Sequence, residues 1–406
     1  MTPPADSERV RTGLVEPGPT LDSDRIARYS RQLMLPGFGE SAQRRLAAAR
    51  VLVIGAGGLG SALVPVLAGS GVGTIGIADD DVVELSNLHR QLSHGTADVG
   101  RAKVDSLAET VTAIDPAIAI VPHRERVSAE NLPRLLADYD LLVDGSDNFA
   151  TRYLANDAAE LAGKPLVWGS ILRFHGQVGI AWKGRGPTFR DLFPAPPPAD
   201  EALSCELGGV LPSLCTAIGS LMATEVIKVV TGIGEPLLGR VLFYDALTAR
   251  TREIAYAVDE TRAELTGLDD YERLCGTAAD PGLSISAAEL LRRRRAGERM
   301  LLLDVREAEE AAGRRIHGSE LLPVGRIDAG ENVDTTLPVV VYCEQDPRSR
   351  RAATALRGQG LDAVYVVGGI RSFVAVGGDV ESGRDDGADA DTAAPHGEGV
   401  PAWRSR

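Results

Sequence analysis

Two α/β domains in one chain, the larger wound on a mostly parallel sheet, are what the sequence predicts. Three observations carry this. Short apolar runs alternate with helix-like stretches from Leu21 to about Thr251, the pattern of a parallel sheet covered by helices. Those runs are apolar throughout, as strands buried on both faces should be. A charged, weakly patterned stretch, 252–283, then gives way to a second, smaller α/β pattern over 284–377. A chain of 406 residues is long enough for two cores.

In order along the chain, residues 1–20 are polar and Pro-rich and read as a flexible arm without the apolar segment of a secretory signal. RVLVIG (50–55) is the first strand, and GAGGLG (55–60) turns it into a small-residue helix at 59–69. Strands follow at 74–79, 117–121, 140–145 and 165–171, with helices at 101–113, 131–138 and 149–162. Residues 184–201 are rich in Pro and are read as irregular. Leu, Ile, Met and Val then recur at helical spacing from Val210 to Val230, and Gly232 stops that helix. In the second domain a helix at 285–297, capped by Ser284 or Ser286, precedes strands at 301–305, 338–342 and 363–367. A helix at 348–359 and a short one near Ile370 complete it. Asp379 to Arg406 hold seven acidic and three basic side chains, and the segment from 378 reads as a disordered, solubilising tail.

A net charge of −14 argues against nucleic acid as the main partner. No apolar run reaches the roughly 18 residues of a membrane span. The chain has four cysteines, Cys205, Cys215, Cys275 and Cys343. Their wide spacing forms neither a disulfide framework nor a zinc pattern, which points to the reducing cytoplasm. A cysteine that works there is a nucleophile or a redox group; Cys215, on the long helix, reads as a small core residue.

The glycine turn is a nucleotide cradle: glycine lets backbone approach phosphate, and the helix N-terminus offers unpaired N–H groups. Asp79, closing the second strand, suits a ribose, and so far a nicotinamide cofactor fits as well as ATP. The next residues separate the two. Arg90 and Lys103 suit a triphosphate. Asp147, beside Asn148 at the end of the fourth strand, suits Mg²⁺. A nicotinamide slot needs few charges, so NAD-dependent oxidoreduction is the weaker reading. His89, His94 and His175 form no ligand spacing.

RYSRQLMLPGFGE (28–40), GAGGLGS, DDDVVELSNLHRQ (79–91), GRAKVDS (100–106) and DGSDNFATRYLAND (144–157) together resemble the ubiquitin-activating enzyme superfamily. The branch is that of the molybdopterin-synthase and thiamine sulfur-carrier adenylyltransferases. The resemblance implies a Rossmann-like adenylation domain over 21–251. It implies transfer of AMP from ATP to the C-terminal glycine of a ubiquitin-like sulfur carrier ending in Gly-Gly. By matching motif, Gly58, Asp79, Ser86, Asn87, Leu88, His89, Arg90, Lys103, Asp147 and Asn148 would contact the nucleotide. Asp147 would hold Mg²⁺, and Asn87, Arg90 and Lys103 would steady the charge at phosphorus. Arg31 would reach into the site of a second subunit, which implies a homodimer. Cys205, in DEALSCELGG, would take the activated carrier as a thioester or acyl disulfide. Relatives carry two CxxC pairs that hold structural zinc; here Thr188 and Asp191 stand at the first pair and no cysteine follows YDALT (244–248), so no zinc is expected.

DVREAEEAAGRRIHG (304–318), VVVYCEQDPRSRRAATAL (339–356) and VYVVGGIRSF (364–373) resemble a rhodanese domain over 284–377. The resemblance implies that Cys343 accepts sulfane sulfur from a persulfide donor such as a cysteine desulfurase. Its loop departs from the usual pattern. Glu344 and Asp346 would oppose a persulfide anion, and Asp346 stands where glycine is common. Arg315 and His317 stand where a histidine-then-proline stretch is usual. A degenerate docking domain is therefore the alternative for this half.

Overall fold

The computed structural model describes residues 13–196, 209–275, 282–344 and 346–381. It divides into two compact units, Met1–Ala278 and Ala279–Arg406.

Three short helices open the first unit: α1 (Ser23–Arg28), α2 (Ser30–Leu33) and α3 (Gly39–Ala48). Strand β1 (Arg50–Ile54), α4 (Gly60–Ser70) and β2 (Thr74–Ala78) form the first crossover. It is followed by α5 (Lys103–Ile114), β3 (Ala119–His123), α6 (Leu132–Ala137), β4 (Leu141–Asp144) and α7 (Phe149–Ala162). Then come β5 (Leu166–Leu172), β6 (His175–Ala181), α8 (Phe189–Leu192), α9 (Pro212–Thr231), β7 (Arg240–Asp245), β8 (Arg250–Ala255) and α10 (Tyr271–Leu274). The sheet runs β3-β2-β1-β4-β5-β6-β7-β8; β1 to β5 are parallel and the rest antiparallel.

Alternation along the central strands sorts the core into two layers. Val51, Val53, Ile75, Ile77, Leu141 and Val143 pack with Leu63, Leu67, Leu107 and Met222 on one face. Leu52, Ile54, Leu142, Leu166 and Trp168 pack with Leu135, Tyr153 and Leu154 on the other. By length and a mean hydropathy of 1.5, α9 could cross a membrane, yet 61% of that apolar window is buried within the unit. Leu214, Ile218, Met222 and Val226 lie fully inside, so it serves as a core helix. It ends where Gly232 turns left-handed at φ 79°.

Three expectations need correction. β3 is an edge strand, exposed or half-exposed along its length, so not every parallel strand is covered on both faces. The antiparallel strands β6, β7 and β8 have no counterpart in the sequence reading, because glycines interrupt β6 and RTREIA of β8 is polar and exposed throughout. The expected boundary at 251 falls inside β8, and residues 256–275 bond to the first unit rather than linking it to the next.

The second unit holds β9 (Ser284–Ile285), α11 (Ala287–Arg295), β10 (Leu301–Asp304), α12 (Ala308–Gly313), β11 (Arg315–Ile316) and β12 (Glu320–Leu321). It continues with α13 (Val324–Asp328), β13 (Val339–Tyr342), α14 (Pro347–Gly358), β14 (Ala363–Val366), α15 (Gly369–Ala375) and β15 (Val380–Glu381). Its parallel sheet runs β12-β10-β13-β14-β9, with β11 and β15 paired apart from it. The helix expected from 285 starts two residues later, because Ser284–Ile285 pairs with β14 and Ser286 then caps the helix on Glu289 N–H at 3.1 Å. The tail expected from 378 is ordered at its start, where Val380–Glu381 pairs with β11, and from 382 onward it lies outside the described residues.

Candidate functional site

The C-terminal ends of β1, β2 and β4 meet at one edge of the first sheet, where open α/β sheets bind ligands. Gly55 leaves β1 at φ 92°. A Cβ on Gly60 would lie 1.9 Å from the Gly55 oxygen, and one on Gly58 would lie 3.0 Å from Cys215 Sγ. The loop therefore closes on itself and on α9 only because these residues lack side chains. Cys215 is buried, as expected for a core residue, and burial pushes its thiol pKa up.

Asp79 ties the loop to the second strand. Its carboxylate accepts from Ala56 N at 2.7 Å and from Asp81 N at 2.8 Å. Burial raises its pKa, against the pull of Lys103 and the two backbone N–H groups. Lys103 is nearly buried and donates through Nζ to Asp81 Oδ2 at 2.8 Å. His94 accounts for the far side of the loop, bonding Ser106 Oγ at 2.8 Å and the Ala56 oxygen at 3.2 Å. Burial lowers its pKa, so the ring is a neutral strut, in keeping with a structural histidine.

A 3₁₀ turn at Leu85–Asn87 presents the polar run. Asn87 is buried and accepts from Glu84 N at 3.2 Å, while Ser86 and His89 are exposed. Leu88 is half-buried. Arg90 donates through Nη1 to the Ser86 oxygen at 3.0 Å and to His89 Nε2 at 2.9 Å. Desolvation and the Arg90 charge both lower the His89 pKa.

At the end of β4, Asp147 and Asn148 are exposed, and Asn148 caps α7 by accepting from Thr151 N at 2.9 Å. Their turn rests on a pair the sequence reading missed. Asp144 is fully buried and accepts from Ser146 N and Oγ (2.9 and 2.5 Å) and from Arg152 Nε (3.1 Å). Arg152 also donates to the oxygens of Ser146 and Gly169. A charged Asp eight residues before an Arg, one ending a strand and the other one turn into a helix, was the available signal. The structure thus brings Gly58, Asp79, Lys103 and the Asp147–Asn148 turn to one edge. Arg31 is exposed on α2, and no hydrogen bond or ion pair among the described residues links it to them. Cys205 lies outside the described residues. Asp79, Asp80 and Asp81 bring three carboxylate oxygens within 4.8 Å of one another, with Asp81 already paired to Lys103.

The zinc positions do not fit a metal. Asp191 Oδ2 accepts from Thr188 N at 2.6 Å and Oγ1 at 3.0 Å, and its Oδ1 faces Arg262 Nε at 3.2 Å. A guanidinium in contact with both candidate ligands repels a dication.

In the second unit, β13 delivers Cys343 to the mouth of a loop that α14 closes. Cys343 is 1% exposed; its Sγ donates to Ser349 Oγ at 3.4 Å and its oxygen accepts from Ile370 N at 2.9 Å. The two carboxylates expected to oppose a persulfide are spoken for. Glu344 meets Arg306 at 3.0 Å, Arg314 at 2.6 Å and Arg371 at 3.4 Å. Burial would raise its carboxyl, but these three cations outweigh that and hold it low. Asp346 Oδ1 accepts from Gly368 N at 2.6 Å, and its φ of −129° needs no glycine. Arg348 forks onto Glu310 at 2.5 and 2.8 Å, and its Nε is buried with no partner among the described residues. Arg315 and His317 point instead to Glu381, at 2.8 and 3.6 Å.

Comparison with known proteins agrees with both halves. Residues 29–264 match the ThiF family and 286–375 match the rhodanese-like domain. A Mycobacterium tuberculosis protein named "Probable adenylyltransferase/sulfurtransferase MoeZ" is 47% identical over 372 residues, covering 88% of this chain and 95% of its own. The Sus scrofa "Adenylyltransferase and sulfurtransferase MOCS3" is 37% identical, over 91% of each. In shape, the Escherichia coli MccB structure with ATP matches at a TM-score of 0.52 and 19% identity, over 59% of this chain and 74% of that one. A match that distant concerns the fold alone. With more than half its length fitting one family and near-full-length relatives well above 30% identity, the chain belongs to the ThiF family, in the form that carries a rhodanese-like domain behind the adenylation domain.

Proposed function

We propose that this enzyme adenylates the C-terminal glycine of a ubiquitin-like sulfur carrier and then converts the adenylate to a thiocarboxylate. The observation that supports it most is the union in one chain of a ThiF unit and a rhodanese-like unit, along nearly the whole length of relatives named for both activities.

A carboxylate is a poor acyl donor, so it is first made into a mixed anhydride with AMP. The carrier's carboxylate oxygen attacks the α-phosphorus of ATP, and pyrophosphate leaves. Gly58 gives the phosphates access to backbone N–H groups. Asp79 takes the ribose hydroxyls. Arg90, Asn87 and Lys103 bear the charge that grows on the phosphoryl oxygens, and Ser86, Leu88 and His89 shape the turn that carries them. For Lys103 this means exchanging its bond to Asp81 for one to phosphate. Asp147, with Asn148 fixing its turn, would hold Mg²⁺, whose charge offsets that of the triphosphate.

In the second half-reaction a Cys343 persulfide attacks the acyl carbon, AMP leaves, and an acyl disulfide forms. Reduction of that acyl disulfide, assigned to the Cys205 thiol with an external dithiol supplying the two electrons, releases the carrier thiocarboxylate and regenerates the Cys343 thiol. Four arginines around the loop, Arg306, Arg314, Arg348 and Arg371, are matched by four carboxylates, Glu344, Glu310, Asp304 and Asp346, which makes the surroundings of Cys343 near neutral and compatible with a singly charged persulfide. A cytoplasmic homodimer in which Arg31 serves the second subunit's site completes the reading, with a protein persulfide as donor.

The test is ATP–pyrophosphate exchange with candidate Gly-Gly carriers, followed by intact mass of the carrier. Exchange plus replacement of one oxygen by sulfur is expected. Tight NADH binding with indifference to Mg·ATP would overturn the reading.

A further inference from the structure

Thr188 and Asp191, the positions at which the resemblance would put zinc cysteines, belong to a different staple, whose parts come from three separate stretches. The side chains of Asp191, at the start of α8, and Glu160, at the end of α7, are 1% and 5% exposed, and that of Arg262, between them, is 14% exposed. Arg262 Nη2 donates to both Glu160 oxygens at 2.9 and 3.0 Å, and its Nε donates to Asp191 at 3.2 Å. The same Nη2 lies 3.4 Å from Thr188 Oγ1. The remaining capacity of Asp191 is filled by the N–H of Asp259 at 3.2 Å. Burial would raise the Asp191 carboxyl, but the N–H groups of Thr188 and Asp259, the Thr188 hydroxyl and Arg262 together hold it low, so it stays charged.

A second fork lies beside the first. Arg190 binds Asp157 of α7 through two bonds of 2.7 Å, Asp157 is fully buried, and Tyr271 donates to it at 2.7 Å. Phe189 N donates to Asn156 Oδ1 at 2.9 Å, and Tyr153 OH to the Phe193 oxygen at 3.0 Å. Two guanidiniums, three carboxylates and a tyrosine thus knit α7, residues 188–194 and residues 259–271. Zinc bound by paired cysteines knits loops in the same way, through one central cation with anionic ligands.

We propose that this double guanidinium–carboxylate clamp does the stapling metal-free, and that the adenylation unit depends on it for its stability. The cation comes from the chain itself, so the staple cannot be stripped by chelation. It is instead broken by removing one charge: without Arg262, buried Asp191 loses its counter-ion and Glu160 keeps only Lys183, at 3.5 Å. This proposal stands apart from the catalytic reading, since it concerns how the unit is held together.

The experiment uses the full chain, purified without metal-binding tags. Metal content is measured, and melting is followed with and without excess EDTA. Below one-tenth equivalent of zinc and an unchanged melting temperature are expected. Arg262→Met should lower the adenylation unit's transition by roughly 5–15 °C and speed its proteolysis. Arg262→Lys, which keeps the charge and loses the fork, should fall between. Stoichiometric zinc, an EDTA-sensitive melt, or Arg262→Met melting like the parent would each overturn the proposal. Should Arg262→Met fail to fold, the metal and chelator measurements on the parent protein still decide.

Discussion

Lys103 illustrates how much of a residue's role lies in its neighbours. As sequence it is one lysine after GRA; in the structure it is a nearly buried ammonium held against Asp81, beside the loop that Asp79 anchors. Lys103→Ala and Arg90→Ala are expected to slow ATP–pyrophosphate exchange by about 100-fold or more each, the scale of losing a preorganised charge donor; circular dichroism checks that folding is kept. Cys343→Ala should leave that exchange intact while carrier thiocarboxylate, read by mass, disappears. An adaptor role for the second unit would instead leave both unchanged. Residue types and order made the place of the glycine loop after β1, of Lys103 at the start of α5 and of Cys343 at the end of β13 legible. Asp144 and Arg152 were not, because a buried ion pair is a property of two elements packed together and neither residue signals it alone.

At the scale of elements, the loop after β13 had been expected to carry uncompensated acid. The residues that settle its charge, Arg306, Arg314 and Arg371, come from elsewhere in the unit, up to 38 positions from Glu344. Local sequence shows the carboxylate and hides the cations. The consequence for pH has a definite sign. Glu344 and Glu310 are both held below the ordinary glutamate value, Glu310 by Arg348 and the Glu307 N–H against its burial. Their stabilisation is complete above the unfolded pKa of about 4.3 and is lost as pH falls through the lowered folded values. Acid should therefore melt the rhodanese-like unit below about pH 4, and Glu344→Gln should flatten that dependence in a pH series of thermal melts. The helices over 149–162 and 212–231 were legible to within two residues because apolar spacing and caps agree. Strands β6 to β8 were not, since their identity comes from pairing rather than composition.

For the whole molecule, the division into two α/β units was legible from the change in pattern, but its position was not. Composition marks 252 onward as charged, and charge reads as linker; the structure spends one of those charges, Arg262, on the clamp to α7. A fragment ending at 251 is expected to be insoluble or to melt early. One ending at 278 should give a cooperative transition, a comparison that a truncation series followed by calorimetry makes directly.

The last strand of the first sheet has one more implication. β8 is an outermost strand, exposed at every residue, and a bare edge of this kind is a template on which another chain can add. Arg250, Arg252 and Glu253 put charge along it, so an approaching strand would have to strip water from ions before it could pair. Replacing Arg252 and Glu253 with valine should therefore promote fibril formation on storage, read by thioflavin fluorescence against the parent protein.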